Sequence, residues 1–152
     1  MRVPIYEALA HYKRNEMLPY TEYFGLGFFT DISLAESTIA ESKKLVGFSD
    51  LNDNSFSITT HYLNDCAHIG NEVSYEIINN KVYGVWYDYD IDDYYTCSGY
   101  IGLFSALKYA ETAIEWYKTW DIFKVHGIES LGIDTITLNL REWTEGFITV
   151  YD

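Results

Sequence analysis

GFFTDISLAESTIAESKKLVGF (27–48) returns further along the chain as GLFSALKYAETAIEWYKTWDIF (102–123), and this recurrence decides the fold. Working outward, the register runs from Tyr12 to Asn64 against Tyr87 to Asn139 without a gap, with 15 identities over 53 positions. Typical residue frequencies of about 5–7% would produce about three. The chain therefore reads as an internal duplication. The expected architecture is α+β: a single domain, 1–152, built from two β-β-α-β-β repeats (about 1–78 and 79–152) with pseudo-twofold symmetry.

Within each copy an aromatic strand ends in Gly-x-Phe-(Thr/Ser) and a helical pattern follows. The helices are expected over about 31–46 and 106–120, with Thr30 and Ser105 as N-caps whose hydroxyls accept from first-turn N–H groups. Ile32, Ala35, Ile39 and Val46 in the first helix, and Leu107, Ala110, Ile114 and Tyr117 in the second, mark the inward faces. Gly47 is the natural stop. Alternating Thr- and Ile-rich runs predict strands at 55–64 and 130–139, with further strands at 3–12, 72–78, 81–89 and 147–151. Asn79 and Asn80 tolerate positive φ and predict a tight hairpin turn.

Charge and composition narrow the function. Acids number 23 against 10 Lys plus Arg, a net charge of −13, which disfavours direct binding to nucleic acid or an anionic membrane and favours a basic partner. The plain alternative is that acidity keeps a surface with 15 tyrosines soluble. No apolar run approaches the ~20 residues of a membrane helix and the start lacks a signal-peptide core, so a cytoplasmic location is expected. Two cysteines, Cys66 and Cys97, make no disulfide framework.

The densest chemical feature is YDYDIDDYY (87–95). Tyr87, Asp88, Tyr89, Asp90, Asp92, Asp93 and Tyr94 form the candidate partner-binding set, with carboxylates to receive Lys and Arg and tyrosines to supply rigid contact area. The competing account is a solvated loop whose charges blunt a strand edge. In the register of the repeat the same loop carries Lys13 and Arg14 in the first copy, so an internal salt bridge between the loops is a further possibility.

Other chemistries fit less well. Asp88, Asp90 and Asp92 imitate the first ligands of a calcium loop, but Asp93 stands at the obligatory glycine and Gly99 at the bidentate glutamate. His61, Cys66 and His68, with Cys97, offer zinc-type ligands without diagnostic spacing. No catalytic set, phosphate loop or hydrolase motif is present, so no enzyme activity, metal or cofactor is expected. Trp86, Trp116, Trp120 and Trp143 read as core or partner-contact aromatics.

The segment 27–50 together with REWTEGF (141–147) resembles a group of small uncharacterised bacterial proteins that join a Gly-x-Phe-Ser strand end to an Ala-Glu helix and close on Trp-x-x-Gly-Phe. In overall character the chain also resembles the immunity proteins of bacterial toxin systems, including contact-dependent growth inhibition. That likeness implies an antitoxin occluding a basic toxin, for instance a nuclease. The alternative of another class is a small-molecule- or metal-responsive regulatory domain using the crevice between the repeats.

Overall fold

The computed structural model describes residues 2–12, 22–90 and 96–147. Its elements are β1 (Pro4–Tyr12), β2 (Glu22–Phe29), α1 (Ile32–Ser42), β3 (Phe56–Tyr62), β4 (Lys81–Asp90), β5 (Thr96–Phe104), α2 (Leu107–Tyr117), α3 (Asp121–His126) and β6 (Leu131–Thr137). The class is α+β, with two three-stranded antiparallel sheets ordered β2-β1-β3 and β5-β4-β6. Among the described residues no helix is long and apolar enough to cross a membrane.

The chain divides into two compact units. The β1 unit comprises Ile5–Thr60 and Leu138–Asp152, and the β4 unit comprises Met1–Pro4 and His61–Thr137. Each unit therefore takes its sheet and first helix from one stretch of sequence and a closing segment from another. The segment after β3 belongs with β4, and the segment after β6 belongs with β1.

In the β1 unit, Ala8, Ala10, Phe24, Leu26, Phe29, Ala35 and Phe48 form the core, edged by Tyr6, Tyr12, Ile39, Phe56 and Phe147. Helix α1 starts at Asp31, whose carboxylate accepts from the Ser33 N–H at 2.9 Å and the Ser33 hydroxyl at 2.8 Å. These two bonds, the backbone one first, hold the Asp31 carboxyl below its ordinary range. The expected caps Thr30 and Ser105 do not cap: Asp31 and Ala106 occupy the cap positions. The inward faces match expectation in part: Ala35, Ala110, Ile114 and Tyr117 are buried and Ile39 packs on the core, but Ile32, Val46 and Leu107 are exposed, and α1 also buries Thr38 and Ser42, small residues that let the helix lie close to the sheet. Helix α1 stops at Ser42 because the next turns tighten, with Lys44 donating to the Glu41 carbonyl and Leu45 to that of Ser42.

One polar atom in this interface is left over. The Thr38 hydroxyl is buried with no hydrogen-bond partner among the described residues. Thr38→Val keeps the shape and removes the unsatisfied group, so it is expected to raise stability by about 1 kcal/mol in urea denaturation.

In the β4 unit, α2 presents Ala110, Ala113, Ile114 and Tyr117 to Val85, Phe104, Phe123 and Leu131. Helix α3, a short element that the repeat pattern did not announce, contributes Phe123. Burial, and then Cys66 beside it, push the Tyr117 phenol above its ordinary value. A phenol raised in the folded state leaves stability whole below about pH 10 and erodes it as pH climbs from there toward the folded value. Tyr117→Phe is accordingly expected to remove up to about 1.4 kcal/mol per pH unit from the alkaline loss of stability, measured by denaturation on either side of about pH 10.

In the first repeat a closing segment stands where the fourth strand was expected. Residues 72–78 are irregular, with an isolated bridge between Ile78 and Lys81 across the Asn79–Asn80 turn, where both asparagines have positive φ as the sequence predicted. Residues 148–151 of the other expected strand lie outside the described residues. Asn64, at φ 59°, gives its backbone N–H to the Leu103 carbonyl (2.9 Å). Its side chain accepts from the Ser105 N–H (3.0 Å) and donates to the Ser105 hydroxyl (2.9 Å) and the Ser74 carbonyl (3.1 Å). Asn139, at φ 61°, repeats the device in the β1 unit. Its N–H donates to the Phe28 carbonyl (2.7 Å), and its side chain accepts from the Thr30 N–H (3.1 Å) and donates to the Thr30 hydroxyl (3.3 Å). Thr30 and Ser105 are thus anchors for these asparagines.

The repeat register is corrected at one place. Strand β2 pairs with β1 from Tyr6↔Phe29, with a register break at Ala8/Leu9, whereas β5 pairs with β4 from Tyr83↔Phe104, with the break at Val85/Trp86. Phe29 and Phe104 correspond as the sequence register has them, yet their partners make Tyr6 equivalent to Tyr83, a wider separation along the chain. Ahead of each hairpin, therefore, Tyr12 matches Tyr89 in place of Tyr87.

Candidate protein-binding face

Strand β4 sends alternate side chains to opposite faces of its sheet. Tyr83, Val85, Tyr87 and Tyr89 point to the helix side, where Tyr87 and Tyr89 lie against the core. Each of these last two has its ring centre 6.2 Å from that of Phe123, and Tyr89 stacks on His126 at 4.5 Å. A side-chain hydrogen bond with Cys97, the residue opposite on β5, raises the Tyr89 phenol above its ordinary value, with smaller contributions from burial, Cys97 charge and Tyr87. These tyrosines anchor the end of the hairpin to α3.

The other face carries Trp86, Asp88 and Asp90, with the two aspartates exposed. Pairing adds Tyr100 and Ser98 from β5 and Asp134 and Gly132 from β6. Trp86 lies flat over Gly132, where a Cβ would collide with the indole, so glycine is what brings the ring down onto the sheet. The Tyr100 hydroxyl donates to Asp134 at 3.0 Å. Three carboxylates, an indole and a phenol thus share one rigid strand surface. A basic side chain reaching this face would meet both charge and an aromatic ring.

The seven residues singled out in the sequence are therefore divided. Asp88 and Asp90 stand on the outward face, Tyr87 and Tyr89 on the helix-side face, and Asp92, Asp93 and Tyr94 lie outside the described residues, as do Lys13 and Arg14. Trp86 was read as a core or partner-contact aromatic, whereas Tyr100, Gly132 and Asp134 were missed, because only strand register brings them beside the aspartates.

The other candidate chemistries are accounted for locally. Asp88 and Asp90 lie on an extended strand, which is not the backbone of a calcium loop. His68 stacks on Trp116 at 3.7 Å, Cys66 packs against the core beside Tyr117, and Cys97 is bound to Tyr89. Both cysteines are free thiols, and no three His, Cys, Asp or Glu side chains among the described residues are grouped to hold a metal ion. Trp120 packs on Tyr117 and Phe123, and Trp143 sits edge-on to Phe24 at 4.8 Å.

Comparison with protein-family models, curated proteins and solved structures returns no match to this chain. The functional reading rests on the geometry alone.

Proposed function

We propose that the chain is a protein-binding module of the bacterial immunity type, which neutralises a basic toxin by covering its active surface. The observation that carries this reading is the outward face of the β5-β4-β6 sheet, where Asp88, Asp90 and Asp134 are exposed beside half-buried Trp86 and Tyr100. A sheet pre-orders these groups, so little conformational entropy is lost when a partner docks. A net charge of −13 steers a basic partner toward the protein and repels nucleic acid and anionic membranes, so a nuclease with a basic cleft is the kind of toxin that fits. Such a module acts in the cytoplasm, where a nuclease toxin meets its substrate.

We also infer that the two units descend from one duplicated β-β-α-β element. Helices α1 (Ile32–Ser42) and α2 (Leu107–Tyr117) start and stop at equivalent positions of the repeat, as do β3 (Phe56–Tyr62) and β6 (Leu131–Thr137), and the two sheets share one strand order.

The functional reading is tested by capture from the native host followed by a toxicity assay. The expected result is a stoichiometric basic protein that is toxic when expressed alone and harmless when this chain is co-expressed. A retained small ligand or metal, or a captured partner that is neither basic nor toxic, would contradict it.

A further inference from the structure

The β1 unit is closed by residues 138–147 of the chain itself, which lie in a groove. Residues 138–147 enter it along the open edge of β2, with the Asn139 and Glu142 N–H groups donating to the Phe28 and Leu26 carbonyls at 2.7 and 2.9 Å. Beyond the Asn139–Thr30 pair, the Arg141 guanidinium donates to the Ser37 hydroxyl at 3.2 Å. At the far end Phe147 stacks on Phe24 at 4.5 Å and packs on Phe48 at 4.8 Å and Tyr12 at 5.6 Å, while its N–H donates to the Val46 carbonyl at 2.9 Å.

This strap is delivered from outside the unit it fills, because it follows directly on β6, a strand of the β4 unit. The β4 unit is closed by the same device, with Asn64 following β3 and bonded to Ser105. Within one chain the two repeats already exchange their ends, and the strap is held by Tyr12 and by residues from Phe24 to Phe48. None of these contacts depends on which copy of the chain supplies β6. We propose that the groove of the β1 unit accepts residues 138–147 from a second copy of the chain, so that the protein dimerises by exchanging this strap.

The exchanged and unexchanged forms make the same strap contacts, so concentration decides between them. A strap tethered in its own chain has an effective concentration on the order of mM. Chains refolded at ~1 µM should therefore close on themselves, and chains refolded at ~1 mM should form exchanged dimers in comparable amount.

Two full-length variants test this, both carrying Cys66→Ser and Cys97→Ser, one with Thr30→Cys in the groove and the other with Asn139→Cys in the strap. They are unfolded, mixed in equal amounts, refolded at ~1 mM and ~1 µM and oxidised. The expected result is a covalent heterodimer with a 30–139 disulfide by peptide mapping at the higher concentration and almost none at the lower. Absence of that disulfide at ~1 mM, or equal yields of 30–30 and 139–139 dimers, would overturn the proposal. If either variant fails to regain wild-type circular dichroism, light scattering of the wild-type chain refolded at the two concentrations decides. A species of twice the 17.7 kDa chain mass at the higher concentration supports exchange, and monomer alone at both overturns it.

Discussion

Phe48→Ala is expected to lower stability by about 3–5 kcal/mol. Phe48 is fully buried, and three rings close around it: Phe24 edge-on at 5.4 Å, Phe147 at 4.8 Å and Phe56 at 6.3 Å. These rings come from β2, the strap and β3, so truncation opens a cavity where three elements meet. Gly47, which the sequence marked as the helix stop, lies beyond the end of α1 and instead leads into the turn that carries Phe48, at φ 85°, a conformation that disfavours any other residue. A loss of this size is a large share of the roughly 5–15 kcal/mol typical of a whole domain. Equilibrium unfolding in urea measures it, Phe48→Leu should recover more than half, and a loss below about 1 kcal/mol would mean that the three rings close over the gap.

The second large effect distinguishes two residues that the repeat makes equivalent. Asn64→Ala is expected to cost about 2–4 kcal/mol and Asn139→Ala about 1 kcal/mol. Asn64 is 6% exposed, and its loss strands the Ser105 N–H inside the unit, removes a donor to the Ser74 carbonyl and places alanine at positive φ. Asn139→Ala carries the same positive-φ cost, which accounts for its loss of about 1 kcal/mol, but Asn139 makes the matching bonds to Thr30 at an exposed site, where water replaces the missing amide. Paired denaturation curves decide the matter, and equal losses would show that burial does not separate the two straps.

These asparagines also mark where the sequence was legible and where it was not. The recurrence of Leu-Asn at 63–64 and 138–139 was visible, but not its purpose, because the partners Ser105 and Thr30 belong to the opposite repeat. The same tertiary bonds removed Thr30 and Ser105 from the capping role that local chemistry predicted. Helix α2 was legible except at Leu107 because its apolar spacing meets a core, whereas α1 matched at Ala35 and Ile39 but buries Thr38 and Ser42 and leaves Ile32 exposed. Segment 72–78 alternates like a strand, yet its polar groups are bound by side chains, with the Ser74 N–H donating to the Tyr109 hydroxyl at 2.8 Å and its carbonyl accepting from Ser105 at 2.6 Å. The shifted correspondence between β1 and β4 escaped notice because Tyr87 and Tyr89 both offer a match to Tyr12, and bulge position, not identity, sets the register.

At the candidate site, composition located Asp88 and Asp90 but merged them with tyrosines that strand alternation turns to the other face. Trp86, Tyr100 and Asp134 became neighbours only through pairing with β5 and β6.

The central claim is that this outward face receives a basic protein through its carboxylates. It is tested most directly by the affinity of the captured partner for wild type and for the Asp88→Asn, Asp90→Asn, Asp134→Asn triple variant as salt is raised. The substitutions are exposed and should change stability by no more than about 0.5 kcal/mol. Binding should weaken by about 2–5 kcal/mol for any pair that becomes fully desolvated, with slower association from the lost steering. The variant is expected to bind more weakly at low salt, with a flatter salt dependence; the part of the gap due to exposed charges should close as screening sets in, while the loss from any desolvated pair persists. Equal affinity and equal salt dependence, with both proteins folded, would contradict the claim.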